Sequence, residues 1–473
     1  MLLLRTLLPA LVLTAAAVPQ EPAQEPTPAP EVELADPLFR LLTAGVDEDR
    51  MVAEVRALCE LGPRMGGTRS GAAAAARLEA AFRAAGLQAT NREDPETWCH
   101  EESSWSLAFR VRGADGELGE TTALDSAWPW GFSPTATGST VLSTDLTDGG
   151  AWLADGRPRW KRSGPVPAVV LTDGLVTRDG SYPRISELRA GDQNPAPIFG
   201  LDTADGAALR AALDAGGEVV LDYALEADIR RARPRTVVAT IPAREGAPEG
   251  FLLYCAHGDS DAGGPGADDN ASGVAVVLEI ARAWARAIEA GEVEAPPREL
   301  RFAVWGKEIH STRAWLAEHR AAEEAGEAAP LLGVINYDQA GFGSGGEQLN
   351  IEPDDLPANR AMIRRILDVL AETEGAAGFP ARWATNKSLG GTDSYVFSGS
   401  RLFRDGGRPA LTLFTSAWGD PDEQPRTEGM PGESWSRRDR VTIDYDLYYH
   451  SAGDTPENTT DKEPWNMGWC ARV

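Results

Sequence analysis

One stretch constrains this chain more than any other. From Leu252 to Trp284 it reads LLYCAHGDSDAGGPGADDNASGVAVVLEIARAW. An apolar run ends in His257-Gly258-Asp259, a glycine-rich loop leads to Asp268-Asp269-Asn270, and an amphipathic helix is expected from about Ser272. Strand, loop and helix in that order put one imidazole and several carboxylates at the carboxyl end of a strand, where open α/β folds keep their sites. Helix capping explains one acidic residue there, because Asp and Asn satisfy the free N–H groups of a first turn. It explains three successive polar residues less well, and a metal centre is the sharper expectation.

The segments downstream repeat the alternation. Strands are expected at 237–241, 251–256, 300–305, 332–337 and 410–414, with helices at 272–285, 312–319 and 358–374. Strands alternating with helices predict a three-layer α/β/α domain with a mostly parallel mixed sheet. Residues 461–473 read as the beginning of a helix that stops early. Upstream, apolar spacing predicts helices at 47–61 and 70–85, followed by a short strand around Gln88. Between 97 and 235 the texture changes to frequent Trp, Gly and Pro with short β-type runs, one of them 165–173. Residues 196–223 read as strand, helix, Gly-Gly stop and strand, so this region is expected to be a β-rich inserted domain with its own core.

Residues 1–18 carry an export signature: a basic Arg5, an apolar core from Leu7 to Val18 and the small residues Ala15-Ala16-Ala17. The Pro- and Glu-rich residues 19–37 read as a disordered linker, and 38–96 as the first part of the main domain, which resumes at 236–473. The expected location is periplasmic, envelope or secreted, with no transmembrane segment in the mature chain. A net charge of -27 argues against nucleic acid or anionic lipid as a partner. The four cysteines, Cys59, Cys99, Cys255 and Cys470, form no close metal-type pair, and export permits disulfides whose pairing is not legible.

Only five histidines occur, His100, His257, His310, His319 and His450, and two have an Asp close by in a glycine-containing turn. His257 precedes Asp259 by two residues, and His450 in YYHSAGDTPEN precedes Asp454 by four. Asp338 follows the apolar run LLGVINY, and Glu308 follows LRFAVW. Zinc accepts donors of these types, imidazole nitrogen and carboxylate oxygen. Two ions held close together need a carboxylate between them and further ligands on each side. A free Glu beside them can take a proton from water and deliver it to a leaving amine. Asp259 would accept the free N–H of His257 and fix its tautomer.

AHGDSDAGGPGADDNASGVAVVLEIAR, LRFAVWGKE, VINYDQAG and YYHSAGDTPEN together resemble the co-catalytic zinc exopeptidase family, which includes bacterial leucyl aminopeptidases, glutamate carboxypeptidase and transferrin-receptor-like proteins. The resemblance covers roughly residues 47–96 and 236–461. The inserted region resembles the protease-associated domain of that family, most closely in NPAPIFGLDTADGAALRAALDAGG. The resemblance implies that His257 and Asp338 hold a first metal, that Asp269 bridges, and that His450 is a ligand of the second. It also implies that Gly391 to Phe397 lines a substrate pocket. One departure stands out: where the family shows two adjacent Glu, this chain has Lys307-Glu308-Ile309. An ungapped match along LRFAVWG makes Glu308 the general base and leaves Ile309 at the ligand position, where His310 is a substitute donor. A match anchored on STRAWL makes Glu308 the ligand and Lys307 the residue at the base position. The unbroken strand register favours the first.

The implied activity is that of an exported aminopeptidase hydrolysing the N-terminal residues of peptides through a zinc-activated water, with one or two zinc ions and Glu308 as base. Two other readings stay open: an inactive member acting as a binding ectodomain, and a single-zinc amide-directed enzyme of the glutaminyl cyclase type.

Overall fold

The computed structural model describes residues 36–154, 166–172, 174–177, 180–185, 194–261, 263–343, 348–387, 391–399, 407–415, 417–418, 443–444 and 448–473. The export signature and all but the end of the expected linker lie outside these residues. At that end, Pro37–Ala44 is helical and capped by Asp36.

Two eight-stranded sheets dominate. The first runs, in spatial order, Gln88–Glu93, Arg235–Ile241, Glu299–Trp305, Phe251–His257, Leu331–Tyr337, Ala410–Phe414, Gln348–Glu352 and Arg382–Thr385. The four central strands, from Glu299–Trp305 to Ala410–Phe414, are mutually parallel; Arg235–Ile241 and Gln348–Glu352 join them antiparallel on either side, and the outermost Arg382–Thr385 is parallel to Gln348–Glu352. Strand alternation divides the side chains between two helical layers. Phe251, Leu253, Cys255, Ala303 and Trp305 pack with Trp315, Leu316, Val396 and Phe397 on one face. Val237, Ala239, Phe302 and Val304 pack on the other, with Met51, Val55, Leu78, Phe82, Val274 and Leu278. The helix Gly273–Glu289 is apolar on nearly every side and buried from Gly273 to Ala281, as a helix enclosed within a large core must be. This is the expected three-layer arrangement. Within 461–473 the expected helix is Trp465–Arg472, and its Met467 and Cys470 are buried in that same core. The strands Gln348–Glu352 and Arg382–Thr385 were not foreseen.

The second sheet is built wholly from residues 97–232 and has its own core around Phe109, Leu153, Val170, Phe199 and Leu221. It contains two strands longer than the sequence suggested, Thr97–Arg112 and Glu218–Ala232, paired antiparallel along their length with one bulge near Glu226. All four cysteines are free, so no disulfide joins the two sheets.

Inside this second unit, His100 and Glu102 lie 3.3 Å apart and out of solvent. Burial pushes the His100 imidazole down to about 4 from 6.5 and the Glu102 carboxyl up to about 7 from 4.5. Both groups are therefore neutral in the folded protein at intermediate pH. Stability linked to Glu102 is full below 4.5 and is lost as pH rises through about 7. Stability linked to His100 is full above 6.5 and is lost as pH falls through about 4. The pair thus gives a stability maximum between the two, with flanks of about 3 kcal/mol each. Thermal melts across this range should show Glu102→Gln losing the alkaline decline relative to the parent; parallel profiles would remove the assignment.

Candidate metal centre

The parallel register brings the site together. His257 is the last residue of its strand and pairs with Trp305, the last of the next. On its other side Cys255 pairs with Asn336, which sets Asp338 level with His257. Glu308 follows Trp305 by one short turn. Ligand-capable atoms of His257, Glu308 and Asp338 all lie within 4.8 Å of one another.

Asp269 occupies the middle. Its Oδ1 is 3.3 Å from His257 Nε2 and its Oδ2 is 3.3 Å from His450 Nε2. Asp338 Oδ1 is also 3.3 Å from His257 Nε2. Two ligands of one tetrahedral zinc, each about 2.0–2.2 Å from the ion, stand about 3.3–3.5 Å apart, so these separations fit a shared ion. The tautomer argues the same way. His257 Nδ1 lies 3.0 Å from the carbonyl of Asp259, which can only accept, so Nδ1 carries the proton and Nε2 turns a lone pair toward two carboxylates. That arrangement is repulsive unless a cation, a proton or a metal, lies between. Burial opposes charge on His257, but Asp338, Asp259 and Asp269 outweigh it and hold its pKa well above the ordinary value. For His450, Asp261 and Asp269 overcome burial and raise it to about 9. Burial likewise works against Asp269, yet its contacts with both histidines hold its carboxyl well below the usual range. The donor set and its surplus of negative charge fit one or two divalent cations.

Several residues hold these groups in place. The Asp259 side chain accepts the Glu308 N–H at 2.9 Å, and Asp393 accepts the Ile309 N–H at 2.7 Å and bonds the Thr312 hydroxyl. Asp454 accepts the N–H groups of Asp268 and Asp269 at 2.7 and 3.1 Å. Asn270 donates to the Tyr337 carbonyl at 2.9 Å, and Asp268 accepts from Gly341 at 2.7 Å, tying the Asp269 turn to the end of the strand Leu331–Tyr337 and the residues after it. Arg64, with no exposed surface, donates to the carbonyls of Pro265 and Gly266 at 2.9 and 2.6 Å and so braces the glycine-rich loop. Among the described residues, three of the four non-glycine residues with positive φ, Ile309, Gln339 and His450, lie next to or within the cluster. Such backbone persists where surrounding contacts over-determine it, as at functional sites.

A sequence pattern described as Peptidase family M28 matches residues 236–473, which is half of the chain. The chain belongs to Peptidase family M28. That membership agrees with the resemblance carried by the motifs. An aminopeptidase of Pseudomonas aeruginosa, in strains UCBPP-PA14 and PAO1, is 26% identical over 243 residues, 50% of this chain and 40% of that protein. The match thus spans well under half the length of these relatives. Among solved structures, a peptidase M28 precursor from Shewanella amazonensis SB2B superposes with a TM-score of 0.59 at 18% identity, covering 92% of this chain and 93% of that one. BSAP, a zinc aminopeptidase from Bacillus subtilis, gives 0.56 at 17%, covering 90% and 94%. An aminopeptidase from Aneurinibacillus sp. strain AM-1 gives 0.51 at 19%, covering 92% and 94%. At these identities the likeness is one of fold.

Within this M28 fold, all six residues singled out from sequence, His257, Asp259, Asp269, Glu308, Asp338 and His450, converge on one rim. His310 does not join them. Ile309 has a φ of 57, the chain reverses there, and His310 Nε2 meets the Pro95 carbonyl at 2.9 Å instead. Ile309 packs against the apolar cluster of Trp305, Trp315 and Phe397. A side-chain Cβ on Gly66 would meet the Lys307 Cβ at 2.7 Å, which sets the start of the Lys307 side chain against the Gly66 turn. Sequence reasoning missed the roles of Asp393, Asp268 and Arg64 in holding the site. It noticed Asp454 only as a neighbour of His450. Asp393, within the segment that the resemblance makes pocket-lining, starts the short helix Asp393–Ser398 and fastens the Glu308 loop.

Proposed function

We propose that this chain is a zinc-dependent aminopeptidase that removes N-terminal residues from peptides. The observation that carries the reading is Asp269 standing with one oxygen toward each of His257 and His450, with Asp338 and Glu308 alongside. His257, Asp269 and Asp338 would hold a first zinc, and Asp269 and His450 a second. Zinc bound there supplies Lewis acidity toward a peptide carbonyl and a water molecule. Glu308 accepts the proton of the attacking water and returns it to the departing amine. Asp259 keeps the Nδ1 proton of His257 in place, so that Nε2 remains a donor of its lone pair. The printed names of the Pseudomonas and Bacillus relatives support the aminopeptidase class, and BSAP supports zinc.

The sequence of residues 1–18 supports export. The second sheet is read as a protease-associated-like insert that narrows access to the rim and favours short peptides. A competing reading, a binding protein that keeps the fold, draws on Ile309, which places an apolar side chain where the family resemblance calls for a second Glu. Zinc analysis of the purified protein, with turnover of a panel of aminoacyl amides and of blocked peptides, separates these. One or two zinc per chain with cleavage only of free N-termini is expected. A protein that takes up no zinc when it is supplied sinks the enzymatic reading, and cleavage of blocked peptides sinks the aminopeptidase assignment.

A further inference from the structure

The insert meets the site's glycine-rich loop at Trp128, whose Nε1 donates to the Gly263 carbonyl at 3.0 Å, and it makes a second contact around His450. The Ile185 N–H donates to the His450 carbonyl at 2.8 Å, and the Ala452 N–H donates to the Pro183 carbonyl at 3.0 Å. Between them Arg184 and Ser451 form an antiparallel bridge. Three consecutive residues of the insert thus bracket His450 by its backbone. Tyr182 completes the contact. Its ring meets Tyr448 edge-on at 5.5 Å, and its hydroxyl donates to Asn458 Oδ1 at 3.3 Å. Asn458 in turn donates to the Gly453 carbonyl at 2.9 Å. Gly453 is required by this packing, since a Cβ there would lie 2.6 Å from the Tyr182 ring.

The bracket is fastened to the insert at its far side. Gly180–Tyr182 pairs antiparallel with Leu175–Thr177. Ser181 accepts from the first N–H of the helix Thr203–Asp214 at 2.9 Å. Gly200, a residue of the insert's sheet, leaves room for the Arg184 carbonyl, which a Cβ would meet at 2.8 Å. On its near side His450 has a φ of 50, a conformation a non-glycine residue keeps only when its neighbours enforce it. The ring is then delivered between Asp261 and Asp269, 3.3 Å from each.

We propose that Tyr182–Ile185 is a positioning clamp for His450, so that the insert, besides narrowing access, is a working part of the second metal position. The clamp rests on the reading of His450 as a ligand. Residues that orient a ligand typically change metal affinity by about 10–100-fold when removed.

The test uses the full chain with Tyr182→Ala, Tyr182→Phe and Gly453→Ala. Zinc is titrated out with a chelator, and kcat and KM for an aminoacyl amide are measured alongside. In Tyr182→Ala and Gly453→Ala, one of two zinc ions should leave about 10–100-fold more readily while the other is unchanged. Turnover should fall with the occupancy of that ion, and added zinc should restore it. Tyr182→Phe keeps the ring and should hold both ions. Equal retention of both ions in Tyr182→Ala overturns the clamp, and so does parallel loss of both together with a lowered melting temperature. A parent protein holding a single zinc that Tyr182→Ala does not disturb also overturns it, while leaving the hydrolase reading intact. A parent that binds no zinc ends both.

Discussion

Replacing Glu308 with glutamine is expected to lower turnover of an aminoacyl amide by about 10²–10⁴-fold while zinc content stays at the parent level. Glutamine keeps the length and volume of the side chain and removes only its capacity to accept a proton. The loop around it is held by groups the substitution does not touch, the Asp259 carboxylate on the Glu308 N–H and the Asp393 carboxylate on the Ile309 N–H. The carboxyl itself is pushed well above its ordinary value, first by withdrawal from water and then by Asp338, Asp393 and Asp269, with His257 opposing. A group so placed gains most from taking up a proton. The two alignments of Lys307-Glu308-Ile309 part on the metal measurement. If Glu308 is a ligand, zinc affinity falls in step with turnover. If turnover is unchanged, the base lies elsewhere. KM should move little in either case where the amide's affinity comes from other groups.

The fold was legible because its signal is local. LLYCAH, LRFAVW and LLGVINY are apolar runs that end in a polar residue, and a parallel sheet sets such ends side by side. The ends of these runs alone are therefore enough to predict that His257, Asp338 and Glu308 meet. The long strands Thr97–Arg112 and Glu218–Ala232 were harder. Their outer halves carry Glu, Ser and Arg that pair across the strands, as Arg230 does with Glu101, and such stretches lack an apolar rhythm. The supporting residues were illegible for a different reason. Asp454 bonds the N–H of Asp269 across 185 positions, and Arg64 reaches the Gly266 carbonyl across 202. No spacing rule connects such pairs. His310 lies outside the cluster, next to the positive φ of Ile309, with its Nε2 on the Pro95 carbonyl, and no spacing rule foretells that partner.

Asp269→Asn is expected to reduce turnover by about 10²-fold or more and to abolish the tight binding of one zinc. The argument is geometric. Each Asp269 oxygen faces a different imidazole nitrogen at 3.3 Å, so both are in use. An asparagine offers one oxygen, and its NH₂ meets the other imidazole as a hydrogen-bond donor, which excludes a cation there. The metal-free protein supplies a second readout with a defined sign. The Asp269 carboxyl is held below its ordinary 3.8 because its contacts with His257 and His450 outweigh burial. Stability linked to it is present above 3.8 and is lost as pH falls below that value. Metal-free Asp269→Asn should therefore melt below the metal-free parent at neutral pH, and the gap should close in acid. Zinc raises a melting temperature in proportion to the logarithm of its occupancy-weighted binding, so the variant should also gain less from added zinc than the parent does. Equal gains in the two proteins would mean that Asp269 does not bridge, and the pairing of His257 with His450 through one carboxylate would have to be given up.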